Sequence, residues 1–257
     1  MNLTINDLNT LLITHLLPFF RIGAFFIAVP IFGSFVLSVR VRILITVLIT
    51  LVIVPVLPKP EYIDPLSGEV VLSAIHQIII GLAMGFILQV VFQAFVLGGQ
   101  VIAMQMGLGF AALVDPQTGN NIPFVSQFYT IMVTLMFLAL DGHLILVEMI
   151  AGSFSILPIS TAGLSSNGLY SVAIWGGEMF AASVMIAMPA IAALLLVNIS
   201  FGVMTRAAPQ LNIFAVGFPI TIILGFAIML AALPSILHHV DEQFQLGMSM
   251  MLDILQE

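Results

Sequence analysis

The feature that most constrains this chain is a long stretch without charge. From Val70 to Val114 there is no Asp, Glu, Lys or Arg. A single helix from Val70 to Gly107 would reach roughly 57 Å, at about 1.5 Å per residue. A bilayer core is only about 30 Å thick. Such a helix must therefore tilt, break near Gly98 and Gly99, or leave the membrane beside other protein.

The rest of the chain shares this apolar character. Of its 257 residues, 61% are hydrophobic and only 7% are charged, whereas soluble domains carry about 25% charged residues. Six long apolar blocks lack the alternation of barrel strands, and lipid requires the backbone to bond to itself. We therefore predict an all-α polytopic membrane protein, a single membrane domain of about six long hydrophobic helices, some of them broken by Gly or Pro.

Several function classes are disfavoured by what the sequence lacks. Five basic residues and a net charge of −7 argue against a nucleic-acid partner, because phosphate binding needs clustered Lys and Arg. There is no cysteine, and the HExxH, GxSxG, Walker A and GxGxxG motifs are absent. The Asp141-Gly142-His143 segment is typical of a turn or helix distortion. We therefore predict no enzymatic activity, no metal site and no cofactor.

The few basic residues suggest an orientation. With six crossings, Arg40, Arg42 and Arg206 fall on one side and Lys59 falls on the other. By the positive-inside rule this distribution places both termini outside the cytoplasm.

Arg21 lies inside the first apolar block, where a buried charge costs at least a few kcal/mol. One interpretation is a substrate or ion site. The other, which we favour, is a structural role, either snorkelling to an interface or an ion pair with Asp141, Glu148 or Glu178.

Polar and small residues of the third block have helical spacing. Gln89, Gln93 and Gln100 lie within about 40° of one another on a helical wheel. They predict either the polar lining of a conduit or hydrogen bonds between helices. Gly81 and Gly85 form a GxxxG pair, which predicts close helix packing.

Methionine is abundant, with fifteen in the chain, and Met104 and Met106 precede a Gly-rich loop. The usual interpretation is flexible core filling. The alternative is an adaptable apolar seal that deforms around a passing chain.

Four stretches carry a resemblance to a known family. In chain order they are RIGAFFIAVPIFGSFVLSVRVR (21–42), GQVIAMQMGLGFAALVDPQTGNNIP (99–123), LALDGHLILVEMIAGSFSILP (138–158) and RAAPQLNIFAVGFPITIILG (206–225). Together they resemble the FliR/SctT-like family, whose flagellar members are the R component of the type III export gate. The resemblance covers nearly the whole chain in the same order.

This resemblance implies a non-enzymatic subunit of the flagellar export gate, in the bacterial inner membrane at the flagellar basal body. It implies assembly with FliP and FliQ subunits, association with FlhB and FlhA, and passage of unfolded flagellar proteins through the centre. Residues 1–168 would play a four-helix, P-like role, and residues 169–257 would form a Q-like hairpin with an amphipathic tail.

The resemblance also assigns a pore plug to the loop at 106–121, after the third block. The plug and gating residues it implies are Met104, Met106, Gly107, Phe110, Leu113, Asp115 and Pro116. The residues it implies for a subunit-contact loop are Arg206, Pro209, Gln210 and Asn212. Two positions depart from the family pattern: Leu113 replaces an aromatic residue of some relatives, and His76 replaces a frequent acidic residue.

A second hypothesis is a stand-alone secondary transporter, with Arg21 and the glutamines at a midplane polar site. Such a transporter is expected to have an internal repeat and paired broken helices. Neither is clear in this sequence.

Overall fold

The computed structural model describes residues 5–33, 37–58, 67–108, 124–207 and 213–257. These residues are 89% helical and contain no strand, so the predicted all-α fold is confirmed. Several residues named above lie outside the described ranges: Lys59, Phe110, Leu113, Asp115, Pro116, Pro209, Gln210 and Asn212.

The described helices are α1 Ile5–Ala28, α2 Pro30–Gly33, α3 Val39–Ile53, α4 Gly68–Gln105, α5 Phe124–Ala139, α6 Gly142–Ile156, α7 Ser166–Trp175, α8 Glu178–Ala207 and α9 Ile213–Gln256. A 3-10 turn, Val54–Val56, continues α3. α9 remains helical through Pro219 and Pro234.

Within the described residues, four helical segments are long and apolar enough to cross a membrane. They are Val39–Val56, Gly68–Gln105, Ser166–Ala207 and Gly217–Gln256, and the bent pair α5 and α6 raises the number to five if it counts as one span. The prediction of a polytopic membrane protein is confirmed.

The third apolar block forms one unbroken helix. α4 contains 38 residues, so the chain does not break at Gly98 and Gly99. Both glycines instead permit close packing. A Cβ on Gly98 would lie 3.2 Å from Cγ2 of Ile186, and one on Gly99 would lie 2.7 Å from Cα of Ser126. Within the most apolar window of α4, 67% is buried, against 22% for the Val39–Val56 segment.

The fourth apolar block is divided by a turn. Asp141 adopts the left-handed conformation, with φ of 55°, and α6 starts at Gly142. A Cβ on Gly142 would collide with the ring of Phe137. The predicted helix distortion at this position is therefore present.

The chain forms two compact units. One contains residues 1–90, 137–176 and 245–257, and the other contains residues 91–136 and 177–244. α4 and α9 contribute residues to both units. In the first unit, Gly81 and Gly85 of α4 lie against α1, where a Cβ on either glycine would meet an α1 carbonyl oxygen at under 3 Å.

Candidate functional site

The C-terminus of α4 is closed by a hydrogen-bonded turn at the start of the Gly-rich loop. The amide of Leu108 donates to the Ala103 carbonyl at 3.0 Å, and the amide of Gly107 donates to the Met104 carbonyl at 3.0 Å. This pair of bonds is the Schellman pattern, which places a left-handed residue just after the helix. Gly107 occupies that position with φ of 83°. The start of the loop is therefore fixed in direction by the backbone.

In the second unit, Met106 and Gly107 lie against one face of α9. The side chain of Met106 is fully buried and occupies the space that a Cβ on Gly225 would need. The hydroxyl of Thr221 donates to the Met106 carbonyl at 3.2 Å. A Cβ on Gly107 would lie 3.2 Å from the ring of Phe218. We call the contact of Met106 and Gly107 with Phe218, Thr221 and Gly225 the loop seat.

The other proposed plug residues are not part of the loop seat. Met104 is 61% exposed, although it lies only two residues before Met106. Phe110, Leu113, Asp115 and Pro116 lie outside the described residues. Sequence reasoning named Met106 and Gly107 but missed Thr221 and Gly225. Their spacing of four on an apolar helix was the available signal, because residues at this spacing share a helix face.

The three glutamines of α4 are partly buried. Within the described residues, the side chains of Gln89, Gln93 and Gln100 make no hydrogen bond. Interhelical hydrogen bonds among the described residues therefore do not account for these amides. Polar amides in a membrane environment need a hydrogen-bond partner, so this partly buried face is suited to water or another protein.

The glutamines belong to a longer stripe on α4. At 100° per residue, Leu82 and Met104 lie within about 60° of the same direction, and both are exposed. The stripe is thus apolar in the first half of α4 and carries amides in the second half.

Arg21 is completely buried in the first unit and bonds to neutral acceptors. Its Nε donates to Gln77 Oε1 at 2.7 Å, Nη1 donates to Ser153 Oγ at 3.2 Å, and Nη2 donates to the Leu157 carbonyl at 2.9 Å. The guanidinium carbon lies 4.2 Å from the centre of the Phe154 ring, a cation–π contact.

The prediction that Arg21 pairs with a carboxylate was wrong. In the described residues, Arg21 forms no ion pair with Asp141, Glu148 or Glu178. Snorkelling is also excluded, because Arg21 is 0% exposed. Three hydrogen-bond acceptors, on α4 and at the C-terminal end of α6, compensate the charge of Arg21 instead.

Gln77, which binds Arg21, was missed from the sequence. Its Nε2 and the hydroxyl of Ser73, one turn earlier, are buried without a hydrogen-bond partner in the described residues. Ser73, Gln77, Gly81 and Gly85 recur every four residues, a spacing that marks one helix face. That regularity could have identified this face as the one packed against α1.

The proposed subunit-contact loop is described only at its start. Arg206 is exposed at the C-terminal end of α8, where a positive charge is favoured by the helix dipole. Pro209, Gln210 and Asn212 lie outside the described residues.

The described part of the chain contains no group of three or more His, Cys, Asp or Glu residues that could hold a metal ion.

Comparison with known proteins identifies the family of this chain. Residues 12–247 match the family described as bacterial export proteins, family 1. The chain belongs to this family. It is 39% identical over 241 residues to the flagellar biosynthetic protein FliR of Pectobacterium carotovorum subsp. carotovorum, covering 93% of this chain and 92% of that protein. It is 34% identical to FliR of Escherichia coli (strain K12), with 93% and 92% covered.

A more distant relative is similar along almost its whole length. FliR of Bacillus subtilis (strain 168) is 29% identical, with 97% of each chain covered. The family resemblance stated from the sequence is confirmed. The chain is a component of the flagellar export apparatus, and the stand-alone transporter is not favoured.

Proposed function

We propose that this chain is the R-type subunit of a flagellar type III export gate, forming part of the conduit for unfolded flagellar proteins and of its plug. The observation that carries the proposal is the loop seat. Met106 and Gly107 open the loop to which the family resemblance assigns the plug. The burial of Met106 and the contact of Gly107 with Phe218 fix the point from which that loop leaves α4.

An apolar plug suits a gate that must stop ions without binding its substrates. A constriction lined by Met and Phe excludes water by dewetting. The unbranched thioether side chain of Met also adapts to irregular surfaces. Met104 and Phe110 would supply such a surface, and the buried Met106 would hold the start of the loop against α9. The apolar surface offers no strong site to a passing polypeptide, so a substrate can enter and leave.

We further propose that the gate lies in the bacterial inner membrane at the flagellar basal body, and that it assembles with FliP and FliQ and associates with FlhB and FlhA. Exposed apolar surface supports this. Only 33% of the most apolar window of Ser166–Ala207 and 22% of that of Gly217–Gln256 is buried. Large exposed apolar surfaces mark contacts with membrane or protein. Residues 1–168 would take the P-like role and residues 169–257 the Q-like role.

In this proposal the chain catalyses no reaction. Its polar groups act structurally: Arg21 ties α1 to α4 and α6, and the α4 glutamines face water or partner chains. Arg206 and the loop that follows it would contact a neighbouring subunit.

Co-purification tests the assembly. A tagged chain co-expressed with FliP and FliQ is expected to elute as one complex that contains all three proteins. Expression without the partners should reduce the yield of folded chain, because the exposed apolar faces would be uncovered. A tagged chain that runs alone, or as a homo-oligomer, in the presence of both partners would contradict the proposal and favour a transporter.

A further inference from the structure

Buried polar atoms without a partner are concentrated on one turn of α4. In the described residues, six side-chain polar atoms are buried without a hydrogen bond, and three of them are Oγ of Ser73, Nδ1 of His76 and Nε2 of Gln77. Residues three and four positions apart are neighbours on a helix surface, so these side chains share one face. Buried polar groups in proteins are nearly always hydrogen-bonded, so three exceptions on one turn need a common explanation.

The unpaired donor of Gln77 does not depend on which way its amide is turned. Nε of Arg21 donates to Oε1 of Gln77 at 2.7 Å, and a guanidinium can only donate. The amide oxygen must therefore face Arg21, and the NH2 group is left for another partner. Gln77 is 0% exposed, so bulk solvent does not reach this group.

The hydroxyl of Ser73 does not use the usual partner of a helical hydroxyl. Ser153 donates to the Ile150 carbonyl at 2.7 Å, and Thr50 donates to the Thr46 carbonyl at 2.7 Å. Such bonds to a preceding carbonyl are common for Ser and Thr inside helices. Ser73 is completely buried and makes none. Its hydroxyl is therefore available to a group outside α4.

His76 borders this face on the side of the connector between α6 and α7. A Cβ on Gly163 would lie 2.6 Å from Cδ2 of the imidazole, so the ring packs against the connector. The start of the same connector supplies the Leu157 carbonyl that accepts from Arg21. His76 is half-buried, and its Nδ1 lies on the buried side. The polar face of α4 is thus bordered by α1, α6 and the connector, all within the first unit.

We propose that this enclosure binds ordered water, with at least one molecule between Ser73, His76 and Gln77. The three atoms differ in what they need. The amide nitrogen of Gln77 only donates, the hydroxyl of Ser73 donates and accepts, and Nδ1 of His76 does either, according to its tautomer. Water also does both, and a buried water makes about three hydrogen bonds. A small anion only accepts, so it suits this mixed set less well.

The bound water extends the hydrogen bonds of Arg21 across the first unit. A guanidinium has five N–H groups, and three of them donate to protein oxygens, so two remain for water. Through Gln77 and the water, Arg21 is linked to the preceding turn of α4 and to the connector. The water is therefore a structural component of the contact between α1, α4 and α6.

The sign of one substitution tests the proposal on the intact chain, purified with its co-expressed partner subunits. If water bonds to Ser73, Ser73→Ala loses a hydrogen bond and should lower the unfolding temperature by about 2–4 °C. If the hydroxyl has no partner at all, the same change removes an unpaired buried polar group and should raise that temperature. A rise, or no shift beyond that of the control, would overturn the proposal.

Ser200→Ala is the matched control. Ser200 is exposed and donates to the Leu196 carbonyl of its own helix. The control therefore reports the greater helix propensity of alanine without a change at the proposed site. The shift of Ser73→Ala is measured relative to it.

An electron cryo-microscopy map of the wild-type complex keeps the proposal testable if Ser73→Ala fails to assemble. At a resolution that shows ordered waters, we expect a density peak within about 3.2 Å of both Nε2 of Gln77 and Oγ of Ser73. The absence of that peak, with both side chains ordered, would overturn the proposal.

Thermal unfolding in chloride and in gluconate, at equal ionic strength, distinguishes water from an anion. The wild-type complex should unfold at the same temperature in both salts. Stabilisation by chloride that is lost in Ser73→Ala would show that an anion occupies the site, and would also overturn the proposal.

Discussion

The guanidinium of Arg21 is a charge held inside an apolar helical unit, and in the described residues it pairs with no carboxylate. A guanidinium has five N–H donors in a rigid planar arrangement. Three of its nitrogens bond to oxygens on α4, on α6 and just after α6, and its face covers the Phe154 ring. The charge is thus balanced by dipoles and a ring from separate helices. Arg21 should therefore act as a cross-brace of the first unit.

Replacing Arg21 with lysine tests this role, because an ammonium is a compact group that cannot reach three separated acceptors. We expect Arg21→Lys to lower the stability of the complex by about 2–3 kcal/mol, the scale of hydrogen bonds to charged groups. Thermal unfolding in detergent, followed by circular dichroism, measures the change.

The matched control is Arg40→Lys, since Arg40 is exposed. That variant should unfold at the wild-type temperature. If Arg21→Lys also unfolded at the wild-type temperature, the three hydrogen bonds would contribute little and the cross-brace would be excluded.

Single residues show where sequence reasoning reaches its limit. An arginine in an apolar block is visible from sequence, and so is the need to compensate its charge. Its partners are not visible, because Gln77 and Ser153 lie 56 and 132 positions away. Charge complementarity favoured acidic partners, whereas the fold uses neutral acceptors brought together by helix packing.

At the scale of elements, the contact of the α4 terminus with α9 determines where the Gly-rich loop begins. The Schellman turn sets the direction of the chain, and the absence of a side chain at Gly225 makes room for Met106. The hydroxyl of Thr221 adds a hydrogen bond to the backbone of Met106. Together these contacts stabilise one position of the loop root.

Adding a methyl group at Gly225 should displace Met106. We expect Gly225→Ala to loosen the plug and to let ions leak through the resting gate, because the new Cβ would overlap the Met106 side chain. Ion flux into vesicles that contain the assembled gate measures this leak.

Gly202 provides the control for the same substitution. A Cβ there would meet nothing within 4 Å, and alanine is better than glycine in a helix by up to about 1 kcal/mol. Vesicles with the Gly202→Ala gate should show the same ion flux as vesicles with the wild-type gate. If Gly225→Ala vesicles also showed wild-type ion flux, the loop seat would not be needed to close the gate.

The helices could be predicted where the sequence is continuously apolar. Breaks and contacts that depend on tertiary packing could not. The length of α4 followed from its uncharged sequence, but the sequence left open a break at Gly98 and Gly99. The structure keeps the helix intact because α8 and α5 pack against those glycines. The distortion at Asp141 was predictable, since Asp and Gly favour left-handed turns. The loop seat was not, because α4 and α9 are far apart in sequence.

Across the described residues, the α4 stripe changes in character along its length, from apolar side chains to amides. Gln89, Gln93 and Gln100 make no hydrogen bond in the described residues, and they follow exposed apolar positions on the same helix. The chain therefore has one long helix face that is suited to lipid or protein in its first half and to water or polar groups in its second half. This pattern is consistent with an element that borders a conduit.

Thiol labelling can test which environment the glutamines face. In a gate opened by plug mutations, Gln93→Cys should react with a charged, water-soluble thiol reagent, because a conduit for unfolded chains is wet. The neighbouring Ala94→Cys should stay unlabelled, since Ala94 is 1% exposed. Protection of Gln93→Cys in the open gate would place this face against a partner subunit. Labelling is unambiguous for this chain, because it contains no cysteine.

The most direct measurement of the central claim, an apolar plug rooted at Met106, is the conductance of membranes that contain the assembled resting gate. Met106→Ala removes the buried anchor of the loop, and Phe110→Ala removes an apolar side chain of the proposed plug. With both changes, water and ions should enter the constriction. We expect a clear rise in ion conductance over the wild-type gate, with the complex still assembled. Unchanged conductance in the assembled double variant would contradict the assignment of the plug to this loop.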